Sequence, residues 1–197
     1  MRIALTGGIA CGKSLFARCL NRLGVETLDA DDIVHELVPE AERRRLAAEV
    51  FGDPAKRKAL EDRIHPLVRE RLDSFARRGR GSDGTHHDDG RIRVEIIPLL
   101  FECNWQQDYD IIICVSSPRS LQIERMVCDR GYSKEQAEAR LAAQLPVEEK
   151  AALSDYVIRN DGSVENLESE AIKLVEWLKG KYDDRRDGEE ACRIGRG

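Results

Sequence analysis

The sequence predicts an α/β domain, and three observations carry that prediction. A short apolar run, Ile3 to Thr6, enters a glycine-rich turn and leaves it through a segment whose Phe16, Cys19, Leu20 and Leu23 recur at helical spacing. A second apolar run, Val25 to Leu28, ends on Asp29-Ala30-Asp31-Asp32, and open α/β sheets place their ligands at the carboxyl ends of their strands. Further strand-length runs then alternate with longer amphipathic stretches. With 197 residues the chain suits one core carrying insertions.

The elements follow in order. The helix after the glycine turn should stop at Gly24. From residue 32 to 78 the pattern is helical, with expected breaks at Gly52-Asp53-Pro54 and at His65-Pro66, and with Val68, Leu72 and Phe75 on one face. This segment reads as a helical insertion between strands. Residues 79–90 hold four glycines and no apolar side chain, so a flexible surface loop is expected there. Its His86-His87-Asp88-Asp89 run is expected to be solvated rather than to bind metal. Strands are expected over Ile92 to Ile97 and Asp110 to Val115. Ser117-Pro118 has the form of an N-cap and first helical position, predicting a helix from about 118 to 129. Ser133-Lys134-Glu135-Gln136 has the form of a capping box, predicting a helix over 133–145. Tyr156 to Ile158 should be a last short strand. Ser163 can cap a final helix with Val164, Leu167, Ala171, Leu174, Val175 and Leu178 on one face. Charge and glycine dominate residues 180–197, where a disordered tail is expected.

Composition excludes several function classes. Acidic and basic residues are mixed, the formal net charge is -5, and the overall basic field that non-specific nucleic-acid binding uses is missing. No stretch has the length and apolarity of a signal peptide or membrane span, so neither membrane association nor secretion is expected. Six cysteines, Cys11, Cys19, Cys103, Cys114, Cys128 and Cys192, stand singly without a C-x-x-C pair. Cytoplasmic residence is the corresponding expectation.

The turn itself carries the chemistry. Gly7-Gly8-Ile9-Ala10-Cys11-Gly12-Lys13-Ser14 fits G-x-x-x-x-G-K-[ST] without a gap. Its backbone N–H groups can fold around a polyphosphate while the following helix presents its positive end to the same anion. Lys13 would neutralise the β- and γ-phosphates, and the Ser14 hydroxyl would complete a Mg²⁺ sphere made mainly of phosphate oxygens and water. Cys11 is expected to be a tolerated small residue; a thiol activated by the helix terminus is the sharper alternative. An N-K-x-D base-reading motif is absent, and neither of the two later strands ends in Asp-Glu, as a motor or transport ATPase would usually show. An ATP-dependent small-molecule kinase is the class that remains.

Several segments, taken in order, narrow this class. They are Ala4-Leu5-Thr6-Gly7-Gly8-Ile9 through Ser14, Asp29-Ala30-Asp31, Ile64-His65-Pro66-Leu67, Pro98-Leu99-Leu100-Phe101-Glu102, Arg140-Leu141-Ala142-Ala143-Gln144, and Asp155-Tyr156-Val157-Ile158 with Asn160 and Gly162. Over residues 1–179 the chain resembles the dephospho-CoA kinases, which phosphorylate the ribose 3′-hydroxyl of dephospho-coenzyme A. The resemblance implies a P-loop kinase with a five-stranded parallel sheet flanked by helices. It implies a core of residues 1–31, 91–117 and 151–179, a helical substrate-binding insertion over 32–78, and a helical lid over 118–150. ATP and dephospho-CoA would be the partners, Mg²⁺ the cofactor, and the state a monomer or weak homo-oligomer.

The resemblance also implies roles. Asp31 matches the acid that accepts the proton of the attacking hydroxyl, with Lys13 and Arg140 holding transferred charge. Gly7 to Ser14, together with Leu15, Gln144 and Asn160, would contact the nucleotide. Asp31, His65, Pro98, Leu99 and Leu100 would face the acceptor. Asp29 could join Ser14 in organising Mg²⁺ or serve as a strand-end cap, and on a strand its carboxylate would share a side with that of Asp31. Two positions depart from the family pattern: Leu15 replaces the usual Thr, and Ile96 stands where an acid is usual, with Glu95 one place earlier. Another small-molecule P-loop kinase and a non-catalytic nucleotide-binding regulator are the alternative readings.

Overall fold

The structure, a computed structural model, describes residues 1–40, 42, 54–78 and 91–194. The segment 79–90, expected to be a loop, lies outside the described residues. Five strands, β1 (Ile3–Gly7), β2 (Glu26–Asp29), β3 (Arg93–Ile96), β4 (Ile111–Ser116) and β5 (Tyr156–Arg159), form one all-parallel sheet in the order β2-β3-β1-β4-β5. All of β1 and the first five residues of β4 are buried, which explains their unbroken apolar runs: both faces of a parallel sheet are covered. From β1 the chain builds outward on one side through β2 and β3, then on the other through β4 and β5. The direction therefore switches at β1, and a crevice opens at its carboxyl end.

Helices cover the two faces, and the period-2 alternation of the strands sorts the core between them. On one face Ile3, Leu5, Ile113 and Val115 meet α1 (Lys13–Arg22) and α7 (Val164–Ile194) through Phe16, Leu20, Leu167 and Leu174. On the other, Ala4 and Ile112 meet α2 (Ala30–Leu37) and α3 (Pro54–Ala76) through Ile33, Val68 and Leu72. The arm α4 (Arg119–Arg130) and α5 (Lys134–Ala142) packs Met126 and Ala137 against Ala10 of the glycine turn, and α6 (Val147–Ala152) follows.

Four sequence expectations are corrected. Pro66 does not break a helix but lies inside α3. A mid-helix proline costs roughly 3 kcal/mol, whereas burying Val68, Leu72 and Phe75 on the following turns contributes about 1.5–3 kcal/mol each. Ser117 is not a cap: Pro118 holds the N-cap position of α4, and the buried Ser117 hydroxyl donates to the Asn160 carbonyl at 2.7 Å. The capping box of Ser133 and Gln136 forms as expected, but α5 ends at Ala142, so Gln144 falls beyond the helix and does not share a helical face with Arg140. The final helix runs on to Ile194, so residues 180–194 continue it instead of forming a disordered tail. Gly180 and the charged residues around it contain no proline to stop the helix.

Candidate active site

All five strands deliver their carboxyl ends to one edge, and the polar residues singled out in the sequence follow those ends. Gly7 ends β1, Asp29 ends β2, Pro98 follows β3, Ser117 follows β4 and Asn160 follows β5. The loop from Gly7 to Ser14 needs its glycines for two separate reasons. A Cβ on Gly7 would lie 2.2 Å from the Val115 carbonyl oxygen of the neighbouring strand. Gly12 sits at φ 87 as the N-cap of α1, where a Cβ would meet Asn160 Nδ2 at 2.2 Å. Ala10 also adopts positive φ, 57°, a cost met by the packing of Met126 and Ala137 over it.

Lys13 folds its ammonium back across the loop, donating to the carbonyls of Gly7 at 3.0 Å and Gly8 at 2.8 Å. Burial pushes the Lys13 ammonium below the ordinary lysine value; Lys150 adds to that push, while Cys11, Asp31 and Asp29 oppose it. Ser14 is exposed on the first turn of α1. Cys11 is fully buried, takes a 3.0 Å contact from Gln122 Nε2, and burial raises its thiol above the ordinary value. The burial favours the tolerated-small-residue reading over the activated thiol: desolvation outweighs the lowering from Lys13 and nearby hydrogen bonds. Leu15, on the first turn of α1, packs partly buried against the core.

The two acids do not sit together on a strand. Asp29 ends β2 and is the N-cap of α2; its Oδ1 accepts the Asp31 backbone N–H at 2.9 Å. Asp31 is exposed on the first turn of that helix. Burial raises the Asp29 carboxyl above its ordinary value, against the lowering from the Asp31 N–H. Asp29 thus fixes the entry of α2 and thereby where Asp31 stands.

Other residues occupy positions different from those the sequence suggested. Asn160 is buried, and its side-chain amide donates to the Cys11 carbonyl at 2.9 Å, bracing the loop from below. Pro98 is half-buried and Leu99 exposed, but Leu100 is fully buried in the helical layer and presents no surface. His65 packs edge-on to Trp105 at 5.1 Å. Arg140 is exposed on α5 and lies over the Tyr132 ring at 4.3 Å. Ile96 is buried in the core, while Glu95 faces the opposite side and binds Arg2 at 3.0 Å and Tyr109. Glu95 therefore ties the sheet to its neighbours away from the loop and does not replace the acid usual at position 96.

Sequence reasoning passed over four polar residues. Gln122 Nε2 donates to the Ile9 carbonyl at 2.8 Å. Arg125 donates to the Ala10 carbonyl at 3.2 Å, the Ser117 hydroxyl at 3.0 Å and the Asn160 carbonyl at 3.1 Å. Lys150 and Glu102 form an ion pair at 2.7 Å. Gln122, Arg125 and Lys150 stand in charged, helical contexts that read like solvated faces, Glu102 closes the Pro98 to Phe101 run without a role of its own, and only the one-turn spacing of Gln122 and Arg125 hinted at a shared target. Hydrogen bonds from a charged donor contribute about 1.5–3 kcal/mol. Arg125→Met should therefore weaken nucleotide binding by about tenfold, as part of that loss falls on the loop's shape. Calorimetric titration of the folded variant checks this; unchanged affinity would show that the loop holds its shape without the guanidinium.

Among the described residues no three His, Cys, Asp or Glu side chains cluster as a metal cage, and no helix is long and apolar enough to cross a membrane. The family model described as dephospho-CoA kinase matches residues 1–43 and 39–166. A dephospho-CoA kinase of Wolinella succinogenes is 34% identical over 201 residues, covering 91% of this chain and 96% of its own length. One from a Synechococcus strain is 37% identical over 197 residues, covering 88% and 91%. Among solved structures, a Thermus thermophilus protein superposes with a TM-score of 0.74 at 32% identity, over 90% of this chain and 97% of that one. A dephospho-CoA kinase from Campylobacter jejuni gives 0.56 at 25% identity, over 90% and 96%. A shikimate kinase from Bacteroides thetaiotaomicron, 16% identical over 91% of this chain and 98% of that one with a TM-score of 0.54, shares the fold.

Proposed function

The chain belongs to the dephospho-CoA kinase family, and from that premise we propose how its residues divide the work of phosphorylating the ribose 3′-hydroxyl of dephospho-CoA with ATP, the final step of coenzyme A biosynthesis. The observation that carries the assignment of roles is the Lys13 ammonium folded across the glycine loop onto the Gly7 and Gly8 carbonyls, with Asp29 ending β2 at the same carboxyl edge of the sheet and capping the helix that begins with Asp31. In the transfer, the 3′-oxygen forms a bond to the γ-phosphorus as the bridging bond to the β-phosphate breaks, and ADP leaves. Asp31 accepts the hydroxyl proton, and its exposed place on the first turn of α2 leaves it free to face an acceptor. Lys13 and the loop N–H groups hold the phosphates. Arg140 brings positive charge from the arm, which is tied to the loop through Ile9, Ala10 and Met126. Gln144 and Leu15 border the nucleotide, and Asn160 fixes the loop beneath it.

The residues present fit a Mg²⁺ carried by ATP. Such an ion needs only one or two protein oxygens beside phosphate oxygens and water, and the exposed Ser14 hydroxyl supplies one. One Asp29 oxygen is engaged by the Asp31 N–H, leaving the other for a metal-bound water. When bound, Mg²⁺ would neutralise charge on the β- and γ-phosphates. The insertion over 32–78, which includes His65, grips the acceptor together with Pro98 and Leu99 beyond β3, residues 118–150 close over ATP, and the reaction takes place in the cytoplasm. The test is ADP release from ATP and Mg²⁺ with dephospho-CoA and with nucleosides or nucleotides as competing acceptors, the product's 3′-phosphate being located by mass spectrometry. ATP binding without acceptor-dependent ADP release would overturn the reading.

A further inference from the structure

Lys150 is fully buried. Its Nζ donates to the Pro98 carbonyl at 2.8 Å and pairs with Glu102 Oε1 at 2.7 Å. The same Oε1 accepts the backbone N–H of Leu145 at 3.0 Å, at the root of the arm that carries Arg140. The Pro98 carbonyl also accepts the hydroxyl of Thr6 at 3.4 Å, and Thr6 is the residue before the glycine loop. One ammonium and one carboxylate thus join three segments: the exit of β1, the turn from Pro98 to Glu102, and the start of α6.

A pair of this kind is poorly explained by stability. Taking an ammonium out of water costs several kcal/mol, and apolar side chains of similar volume often stabilise as well or better. What the pair supplies is geometry, because three chains are held to one point by directional, charge-assisted bonds. Lys150 and Thr6 share the Pro98 carbonyl, which places the junction one residue from the glycine loop. We propose that Glu102 and Lys150 are positioning residues for the transfer, coupling the acceptor-facing turn at Pro98 and Leu99 to the root of the arm over the nucleotide. This rests on the kinase reading above.

Movement of the reacting groups by about 1 Å can cost about 100-fold in rate. Glu102→Gln keeps the size and an acceptor for Leu145 while removing the charge, and Lys150→Met keeps the volume while removing the donor. Both should lower kcat with dephospho-CoA by about 10- to 100-fold, with ATP affinity near that of wild type for Glu102→Gln and a lowered melting temperature, because the buried Lys150 ammonium loses its counter-charge. The double variant should be no worse than Lys150→Met alone, because each single change breaks the same junction. Should Lys150→Met fail to fold, the separation of kcat from ATP affinity in Glu102→Gln carries the test. Wild-type kcat in Glu102→Gln, or kcat falling only in step with ATP affinity, would overturn the coupling. A wild-type protein inactive on dephospho-CoA would instead overturn the kinase reading.

Discussion

Asp31→Asn is expected to lower kcat by about 10²–10⁴-fold, the usual contribution of a positioned general base, while leaving ATP affinity within about twofold of wild type because Lys13 and the loop still hold the phosphates. Asparagine has the shape of aspartate, and the Asp31 contact seen here is made by its backbone N–H to Asp29, which the substitution leaves in place. The loss of one acid from the first turn of α2 removes only about 0.3–1 kcal/mol of helix-dipole stabilisation. Folding should therefore survive, and the kinetic loss can be read as chemistry. A coupled ADP-release assay measures kcat, and equilibrium titration measures ATP binding. Near-wild-type turnover in the folded variant would remove Asp31 from proton transfer and leave the hydroxyl to be activated by position and charge alone.

The same residue shows how far the sequence could be read. The glycine loop, the strand before it and the helix after it were legible because each follows from local rules: apolar run, motif, helical spacing, glycine stop. Asp31 was legible as a residue but not as a position. The sequence left Asp29 open between a strand-end cap and a Mg²⁺ role, with its carboxylate beside that of Asp31 if the strand ran on, and the cap is the one that forms. Pro66 failed differently, because a local breaker was overridden by the packing of Val68 and Leu72 in a core whose other members, Ala4 and Ile112 among them, are far away in sequence. Ser117 looked like a cap and became a buried support for Asn160. Arg125, Gln122, Glu102 and Lys150 were given no role, since apart from the Ser117 hydroxyl beside Arg125 their partners lie from 35 to 115 residues distant. The parts of the site proposed to hold the phosphates are thus local in sequence, and the parts that hold the loop in shape are not.

Lys13→Met should cost about 10²–10³-fold in kcat, the scale of removing one preorganised electrostatic group from a reacting centre, and should weaken ATP binding as well because the same ammonium meets ground-state charge. Lys13→Arg is expected not to restore it. The Lys13 ammonium is held as a point donor between two carbonyl oxygens at 3.0 and 2.8 Å, and a planar guanidinium fork cannot take both contacts from the same stem. The pH dependence separates this role from simple packing. Burial lowers the Lys13 pKa, so the charged form that phosphate requires is complete at low pH and is lost as pH rises through the lowered value, earlier than for an ordinary lysine. ATP affinity of the wild type should therefore fall on the alkaline side before free lysines titrate. Asp29 and Asp31 oppose the shift and Lys150 reinforces it, so removing either acid should move that limb to lower pH. In Lys13→Met the limb should vanish, leaving ATP binding weaker and flat across the same range; persistence of the limb in that variant would assign the titration to another group and leave Lys13 as a purely structural brace of Gly7 and Gly8.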